Sequence, residues 1–202
     1  TDHHWTTLGA WYAFEEAQKV MGLGQIAEMT AYPVTNRFQG TLASRSGYQV
    51  PSDTISIYWP KAEEQLVVTY VEEQKKSASL YASEKLKGRD KYGVFLDGNH
   101  PIVKIRTMAD SDRTLLLLKD SYANCFVPFL TSSFREIVLV DPRYYYGNIE
   151  ELLLEQNFTD ILILYNLNTF LQDDVLHFVL EDPKKSGEEK GGLGSESASK
   201  AG

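Results

Sequence analysis

The sequence predicts an α/β fold in which parallel strands carry a site at their carboxyl edge, with an antiparallel β excursion beside them. Three observations lead there. Leu115 to Leu118 is an unbroken apolar run inside TLLLLKDSYANCFVPF, residues 114–129, and reads as a strand buried on both faces. After it, short apolar runs alternate with helix-compatible segments over short links, the pattern of βαβ units in a parallel sheet. Residues 37–107 differ: short runs rich in Tyr, Val, Ile and Thr alternate with polar residues, as antiparallel strands do.

Composition bounds what such a chain does. Its 202 residues make one domain with an elaborate insertion, and a hydrophobic fraction of 43% suffices for a core. The formal charge of −8 argues against a nucleic-acid surface, which needs a basic patch. No apolar run approaches the ~20 residues of a membrane span. The one cysteine, Cys125, has no partner for an internal disulfide and is expected to pack rather than react. The chain opens directly on a motif, without an initiator Met or a signal peptide, so a fragment lacking its N-terminal part is expected.

Taken in order, the first element is a helix. Thr6 and Thr7 are good caps, and Leu8, Trp11, Tyr12, Glu15, Glu16, Lys19 and Val20 fit an amphipathic helix ending near Gly22. Asp2 and His4 therefore stand in the loop before it. Residues two apart in extended backbone point the same way, so Asp2 can hold the His4 imidazole in one tautomer, as the orienting acid of a triad does. Two other readings stay open. Asp2, His3 and His4 could bind a metal together with His100, although adjacent histidines diverge and no His-x₃-His spacing supports them. The stretch could also be no more than a capped helix start, with Trp5 and Trp11 in the core.

In the β excursion, strands are expected at Phe38 to Ala43, Thr54 to Trp59, Leu66 to Val71, Ser79 to Lys85, Val94 to Leu96 and Ile102 to Arg106. The charged run Glu72 to Lys76 reads as a solvated turn or strand end. Asp97-Gly98-Asn99-His100-Pro101 reads as a turn, which is the plain account of Asn99 and His100; a site role for either stays open.

Beyond Leu118 the apolar run breaks at Lys119-Asp120-Ser121, and Tyr122 to Phe129 is expected to be helical. A strand that stops, turns and enters a helix presents a serine hydroxyl at the carboxyl edge of a sheet. The flanking glycines of the usual G-x-S-x-G turn are missing, so Asp120 or Ser121 as a plain helix cap is the competing reading. Glu136 to Val140 is the next buried strand, Ile149 to Glu155 a helix, Ile161 to Leu164 another buried strand, and Phe170 to Val175 a helix. Parallel strands open all three loops on one edge. Those loops bring Ser121, then Arg143 with its tyrosines, then Tyr165, Asn166 and Asn168. Residues 1–182 thus form the domain, with its β-rich insertion at about 37–107. Residues 183–202 hold no large apolar residue except Leu193 and are expected to be a disordered tail.

Asp2-His3-His4-Trp5-Thr6, Lys119-Asp120-Ser121-Tyr122, Asp141-Pro142-Arg143-Tyr144-Tyr145 and Tyr165-Asn166-Leu167-Asn168-Thr169-Phe170, in that order, resemble the bacterial DHHW family. That family is similar to the alginate O-acetylation proteins of the SGNH hydrolase superfamily. The resemblance covers nearly the whole chain up to the tail. It implies a three-layer SGNH-hydrolase-like fold, circularly permuted because the Asp-x-His block precedes the serine. It implies Ser121 as nucleophile, His4 as general base and Asp2 as its orienting acid. Arg143 falls where the alginate relatives have a further active-site residue, as does Tyr165. Asn168 and Tyr165 are the candidate side-chain donors to an oxyanion, beside the Ser121 amide. The chain departs from the pattern at His3, where relatives carry Thr or a similar residue, and at Lys119, where a glycine usually precedes Asp-Ser. The implied activity is O-acetylation of a bacterial exopolysaccharide or cell-envelope glycan through an acyl-enzyme, with no cofactor and no metal. The implied partners are the polysaccharide acceptor and an acyl donor delivered by a membrane-bound acyl-transfer protein, outside the cytoplasm. A carbohydrate acetylesterase with the same triad, and a non-catalytic polysaccharide-binding or scaffold protein, are the alternatives.

Overall fold

The computed structural model describes residues 1–24, 26–61, 65–173 and 175–180. In chain order the elements are α1 (Thr7–Met21), β1 (Met29–Phe38), α2 (Thr41–Ser46), β2 (Asp53–Pro60), β3 (Leu66–Tyr70), β4 (Lys75–Ser77), β5 (Ile102–Thr107), β6 (Thr114–Lys119), β7 (Glu136–Val140), α3 (Ile149–Glu155), β8 (Asp160–Leu164), α4 (Leu167–Gln172) and α5 (Leu176–Leu180). Single 3-10 turns occur at Ser83–Lys87, Lys91–Val94, Ser121–Cys125 and Val127–Leu130. The tail expected from residue 183 lies outside the described residues.

Six strands form one mixed sheet in the order β4-β3-β5-β7-β6-β8. The leucine strand β6 runs parallel to both its neighbours, β7 and β8. β5 lies antiparallel to β7, and β3 antiparallel to β5 and β4. The antiparallel excursion is therefore not beside the main sheet: three of its strands are half of it, and only β1 and β2 form a separate two-stranded ribbon. The cause is β5, whose Ile102, Val103 and Ile105 are buried and need a neighbour with apolar residues on both faces, which β7 supplies.

Alternation along the strands builds a core on each side of the sheet. Leu115, Leu117, Ile137, Leu139, Val103 and Ile105 face the larger core, with Phe14 of α1 and Phe126 and Phe129 of the 3-10 turns. Leu116, Leu118, Val138, Val140 and Ile102 face the smaller one, under Ile149 and Leu152 of α3. Thr6 caps α1 by accepting from the Gly9 amide at 3.1 Å, and Gly22 ends it with φ +60°, as the sequence leads one to expect. Among the described residues no helix is long and apolar enough to cross a membrane.

Several local expectations give way to the structure. Phe38 to Ala43 is not a strand: β1 ends at Phe38 and α2 begins at Thr41. The strand before it is masked in the sequence by Pro33, which a two-stranded ribbon with register shifts at Pro33/Thr35 and Thr35/Phe38 accommodates. Of Ser79 to Lys85 and Val94 to Leu96, only a Tyr81–Phe95 bridge is β-like. The rest closes short local bonds, Lys85 N to the Ala82 carbonyl and Phe95 N to the Tyr92 carbonyl. The segment after Ser121 is not one helix but two 3-10 turns, because Pro128 lacks the N–H that an α-helical ladder requires. Finally, β8 is an edge strand that exposes Ile161 and Ile163 rather than a strand buried on both faces.

Candidate functional site

Register decides what meets at the sheet's carboxyl edge. Leu118 of β6 stands opposite Val140 of β7, and Lys119 opposite Leu164 of β8, so the loops after all three strands open together. β5 runs the other way, with Ile102 opposite Val140, so the turn that precedes it, residues 97–101, opens on the same edge. The loop before α1 crosses this edge from the opposite end of the sequence.

Asp120 shapes the serine turn. Its Oδ1 accepts from the Tyr122 amide at 2.8 Å and caps the 3-10 turn, and its Oδ2 accepts from the Asn166 amide of the β8 loop at 3.0 Å. The cap is Asp120, which leaves the Ser121 hydroxyl free. His4 Nε2 lies 2.8 Å from Ser121 Oγ, and His4 Nδ1 lies 2.6 Å from Asp2 Oδ2. A carboxylate only accepts, so Nδ1 carries the proton, Nε2 is the acceptor and the Ser121 hydroxyl donates to it. His3 points elsewhere: its Nδ1 is 2.6 Å from Thr41 Oγ1 and 3.4 Å from Asp2 Oδ1. Burial and the neighbouring His4 lower the His3 pKa and so favour its neutral form.

Asp2 is itself held. Its Oδ1 accepts from the Thr41 amide at 2.8 Å and from the Thr41 hydroxyl at 3.0 Å. Burial alone would raise its pKa; the bonds from His4 and Thr41 together outweigh burial and hold it well below the usual carboxylate range. Gly40 makes this seat possible, since a Cβ there would fall 2.2 Å from Asp2 Cβ and 2.5 Å from its Cα. Tyr92 supports His4 and Ser121 together. Its ring stacks on the imidazole with centroids 3.7 Å apart and planes 7° from parallel, and its hydroxyl donates to the Ser121 carbonyl at 2.9 Å. Burial pushes its pKa well above that of an ordinary tyrosine, so it stays a donor. Trp5 Nε1 donates to the Tyr122 carbonyl at 2.9 Å, and the Tyr122 hydroxyl donates to the His3 carbonyl at 2.5 Å. These two bonds tie the first loop to the serine turn.

A cleft of about 540 Å³ opens over these residues and reaches Asn99, Asn124 and Arg143. Arg143 grips Asp141 through Nε at 2.8 Å and Nη2 at 2.7 Å, and that carboxylate raises its pKa further. Lys119 is fully buried behind the serine, its Nζ 2.9 Å from Asn124 Oδ1 and 3.5 Å from Asp141 Oδ2; burial lowers its pKa. Arg45 and Arg89 stand at the rim with no ion-pair partner among the described residues.

The other sequence candidates fall outside this cleft. Asn168 borders a neighbouring hollow with Gln172 and Asp173. The Tyr165 hydroxyl is buried without a hydrogen-bond partner among the described residues, and burial raises its pKa. His100 pairs with Glu73 at 2.5 Å and the Leu96 carbonyl at 3.1 Å. Ligand atoms of Asp2, His3 and His4 do lie within 4.8 Å of one another, but His100 is not among them. Cys125 is buried, and burial pushes its pKa up to about 12. Sequence reasoning missed Gly40, Thr41, Tyr92 and Asn124. Each acts by supporting another residue, and Gly40 lay inside the strand expected at Phe38 to Ala43.

Fold and site together define a mixed α/β protein with an Asp–His–Ser hydrogen-bonded chain at the carboxyl ends of its parallel strands. The chain belongs to the DHHW family, whose model, described as DHHW protein, matches residues 1–140. Among solved structures it is similar to a DHHW family protein from Eubacterium siraeum DSM 15702, with 27% identity and a TM-score of 0.67 over 82% of this chain and 57% of that one. It is also similar to Bacillus cereus PatB1, with 21% identity and a TM-score of 0.65 over 84% of this chain and 62% of that one. A structure of PatB1 with a sulfonyl adduct matches at 22% identity, a TM-score of 0.65, and 84% and 60% coverage. The chain thus spans 57–62% of the length of these structures. No curated protein matches the sequence.

Proposed function

We propose that the chain carries the catalytic site of a glycan O-acetyltransferase that works through an acetyl-enzyme on Ser121, in an SGNH-like fold whose Asp-x-His block precedes the serine. The observation that carries this reading is His4 between Asp2 and Ser121, at 2.6 and 2.8 Å. A serine is a weak nucleophile until a base takes its proton as it attacks, and a base needs a fixed tautomer to do so.

As Ser121 Oγ attacks the acetyl carbonyl, its proton passes to His4 Nε2, and Asp2 stabilises the imidazolium through Nδ1. The tetrahedral intermediate collapses; the bond to the donor's leaving oxygen breaks, and His4 returns the proton to that oxygen. A sugar hydroxyl then enters, gives its proton to His4, attacks the acetyl-serine and leaves as the acetyl ester, while Ser121 regains its proton. Water in place of the sugar gives the esterase reaction. In the same reading the acceptor is an exopolysaccharide or envelope glycan outside the cytoplasm, and a membrane-bound acyl-transfer protein supplies the donor. Arg143, anchored on Asp141 at the cleft wall, is the residue assigned to substrate contact.

The sulfonyl adduct of PatB1 suggests the direct test, since sulfonyl electrophiles capture activated serines. Incubation with an activated acetyl ester, and separately with an aryl sulfonyl fluoride, should add one group, mapped to Ser121 by peptide mass. Ser121→Ala should abolish both adducts and His4→Ala should slow them by about 10³-fold or more. His3→Ala should do far less. Adding oligosaccharide should divert acetyl to the sugar; turnover that ignores the sugar supports the esterase. An adduct undiminished in Ser121→Ala ends the proposal.

A further inference from the structure

Beside the cleft over Ser121 lies a second hollow of about 330 Å³, within the range of about 300–1,000 Å³ for small-ligand sites. His3 and Arg143 line both, so the two hollows are neighbours across one shared wall. The other side of the second is built by the loop after β8 and by the α4 segment, with Asn166, Asn168, Thr169, Gln172 and Asp173. Asp120 ties this side to the serine turn, since the same carboxylate accepts from the Tyr122 amide at 2.8 Å and from the Asn166 amide at 3.0 Å.

The lining has the chemistry of a site for hydroxyl groups. Arg143 is spent on Asp141. Asn168 and Gln172 are exposed, and their side-chain amides have no partner among the described residues. Asp173 is half-satisfied. Its Oδ1 accepts from the Val175 and Leu176 amides at 2.6 and 2.7 Å, whereas its Oδ2 is buried with no hydrogen-bond partner among the described residues. A buried acceptor without a donor is the exception in folded proteins, and here the chain itself offers none. Amides that donate and accept, beside a carboxylate that only accepts, suit a ring of hydroxyls, and the carboxylate repels an anionic ring.

We infer that the hollow bounded by Asn168, Gln172 and Asp173 is a second acceptor subsite, which holds an uncharged sugar ring next to the one acetylated from Ser121. This deepens the acetyl-transfer reading above and rests on it. Contacts to a neighbouring ring lie away from the reacting atoms, so their binding energy serves transfer to the glycan and not acetylation of the serine.

The test is the discharge of acetyl-Ser121, formed with 4-nitrophenyl acetate, to neutral gluco-, manno-, galacto- and N-acetylglucosamine oligomers of one to four rings, followed by intact mass. The best neutral oligomer should discharge it at least about tenfold faster than its own monosaccharide at equal concentration. Oligogalacturonides should gain less from length. Asp173→Asn keeps an oxygen to cap the amides of Val175 and Leu176 but puts a donor in place of the free acceptor, and Gln172→Ala removes an exposed amide. Each should cut the length advantage to about threefold or less, while acetylation by 4-nitrophenyl acetate and discharge to the monosaccharide stay within about twofold of the parent. Both should melt within a few degrees of the parent. A full length advantage in either variant, none in the parent, or a larger one for oligogalacturonides overturns the subsite. A parent that forms no Ser121 adduct fails the acetyl-serine reading and this inference with it, whereas an adduct whose discharge ignores chain length fails the subsite alone.

Discussion

β6 and β8 are adjacent, parallel and similarly apolar, yet they live in different surroundings. β6 is paired on both sides, and Leu115 to Leu118 are all buried. Even the polar residues at its end, Lys119 and Asp120, are buried with partners. β8 is paired on one side only. Its Leu162 and Leu164 pack on the larger core, but Ile161 and Ile163 are 56% and 50% exposed. They share a face with Leu116 and Leu118, so the smaller core simply stops at β6. The difference teaches where the site gets its rigidity: Ser121 hangs from the strand with both cores under it, while beside the serine turn the Leu164 carbonyl of β8 and the Asn166 amide of the loop that follows it bond to Asp120.

The comparison breaks most easily at its strong end. Leu117→Ala removes a fully buried side chain from the larger core. The expected cost is about 2–5 kcal/mol, the range for such truncations, read from urea unfolding midpoints. A cost below about 1 kcal/mol would mean that β6 is no better packed than the edge.

A second, smaller effect sharpens the contrast at the site itself. Asp2 has a folded pKa below its unfolded one, so its contribution to stability is fully present above the unfolded value of about 4 and is lost as pH falls through the depressed folded value. Asp2→Asn should therefore be less stable than the parent near pH 7, by about 1–2 kcal/mol on the scale of a hydrogen bond to a charged group. That gap should shrink steadily below about pH 4. Unfolding midpoints of both proteins from pH 7 downward measure it; a gap independent of pH would show that the carboxylate's charge contributes nothing.

How far the sequence reveals this arrangement follows from the same contrast. The leucine run, the βαβ rhythm and the three loops on one edge are legible because hydrophobic period and link length are local properties. The approach of Asp2, His4 and Ser121 became an expectation only through the resemblance to the DHHW family, since no local pattern joins residues 117 apart. Tyr92, Asn124 and Lys119 were not legible as a supporting set. Their roles depend on the strand order β5-β7-β6, which mixes antiparallel and parallel neighbours. The sequence also does not separate β6 from β8, because an apolar run states that a strand favours burial and not whether anything covers it.

That last ambiguity sets the smallest expected effect. Ile163→Thr keeps a β-branched side chain in an edge strand and removes apolar surface that is already half in water. Its stability should change by no more than about 0.5 kcal/mol, as for surface substitutions generally, and its Ser121 acetylation rate should match the parent's. Ile163 stands opposite Leu118, one pair from the end of the ladder at Lys119 and Leu164, so any strain passed along the ladder would reach the serine turn at once. An unchanged rate would therefore show that the outer face of β8 does not bear on the position of Ser121. A loss above about 2 kcal/mol would be too large for a half-exposed methyl and would mean that the outer face of β8 is covered, which would make the two strands equals and remove the contrast between them.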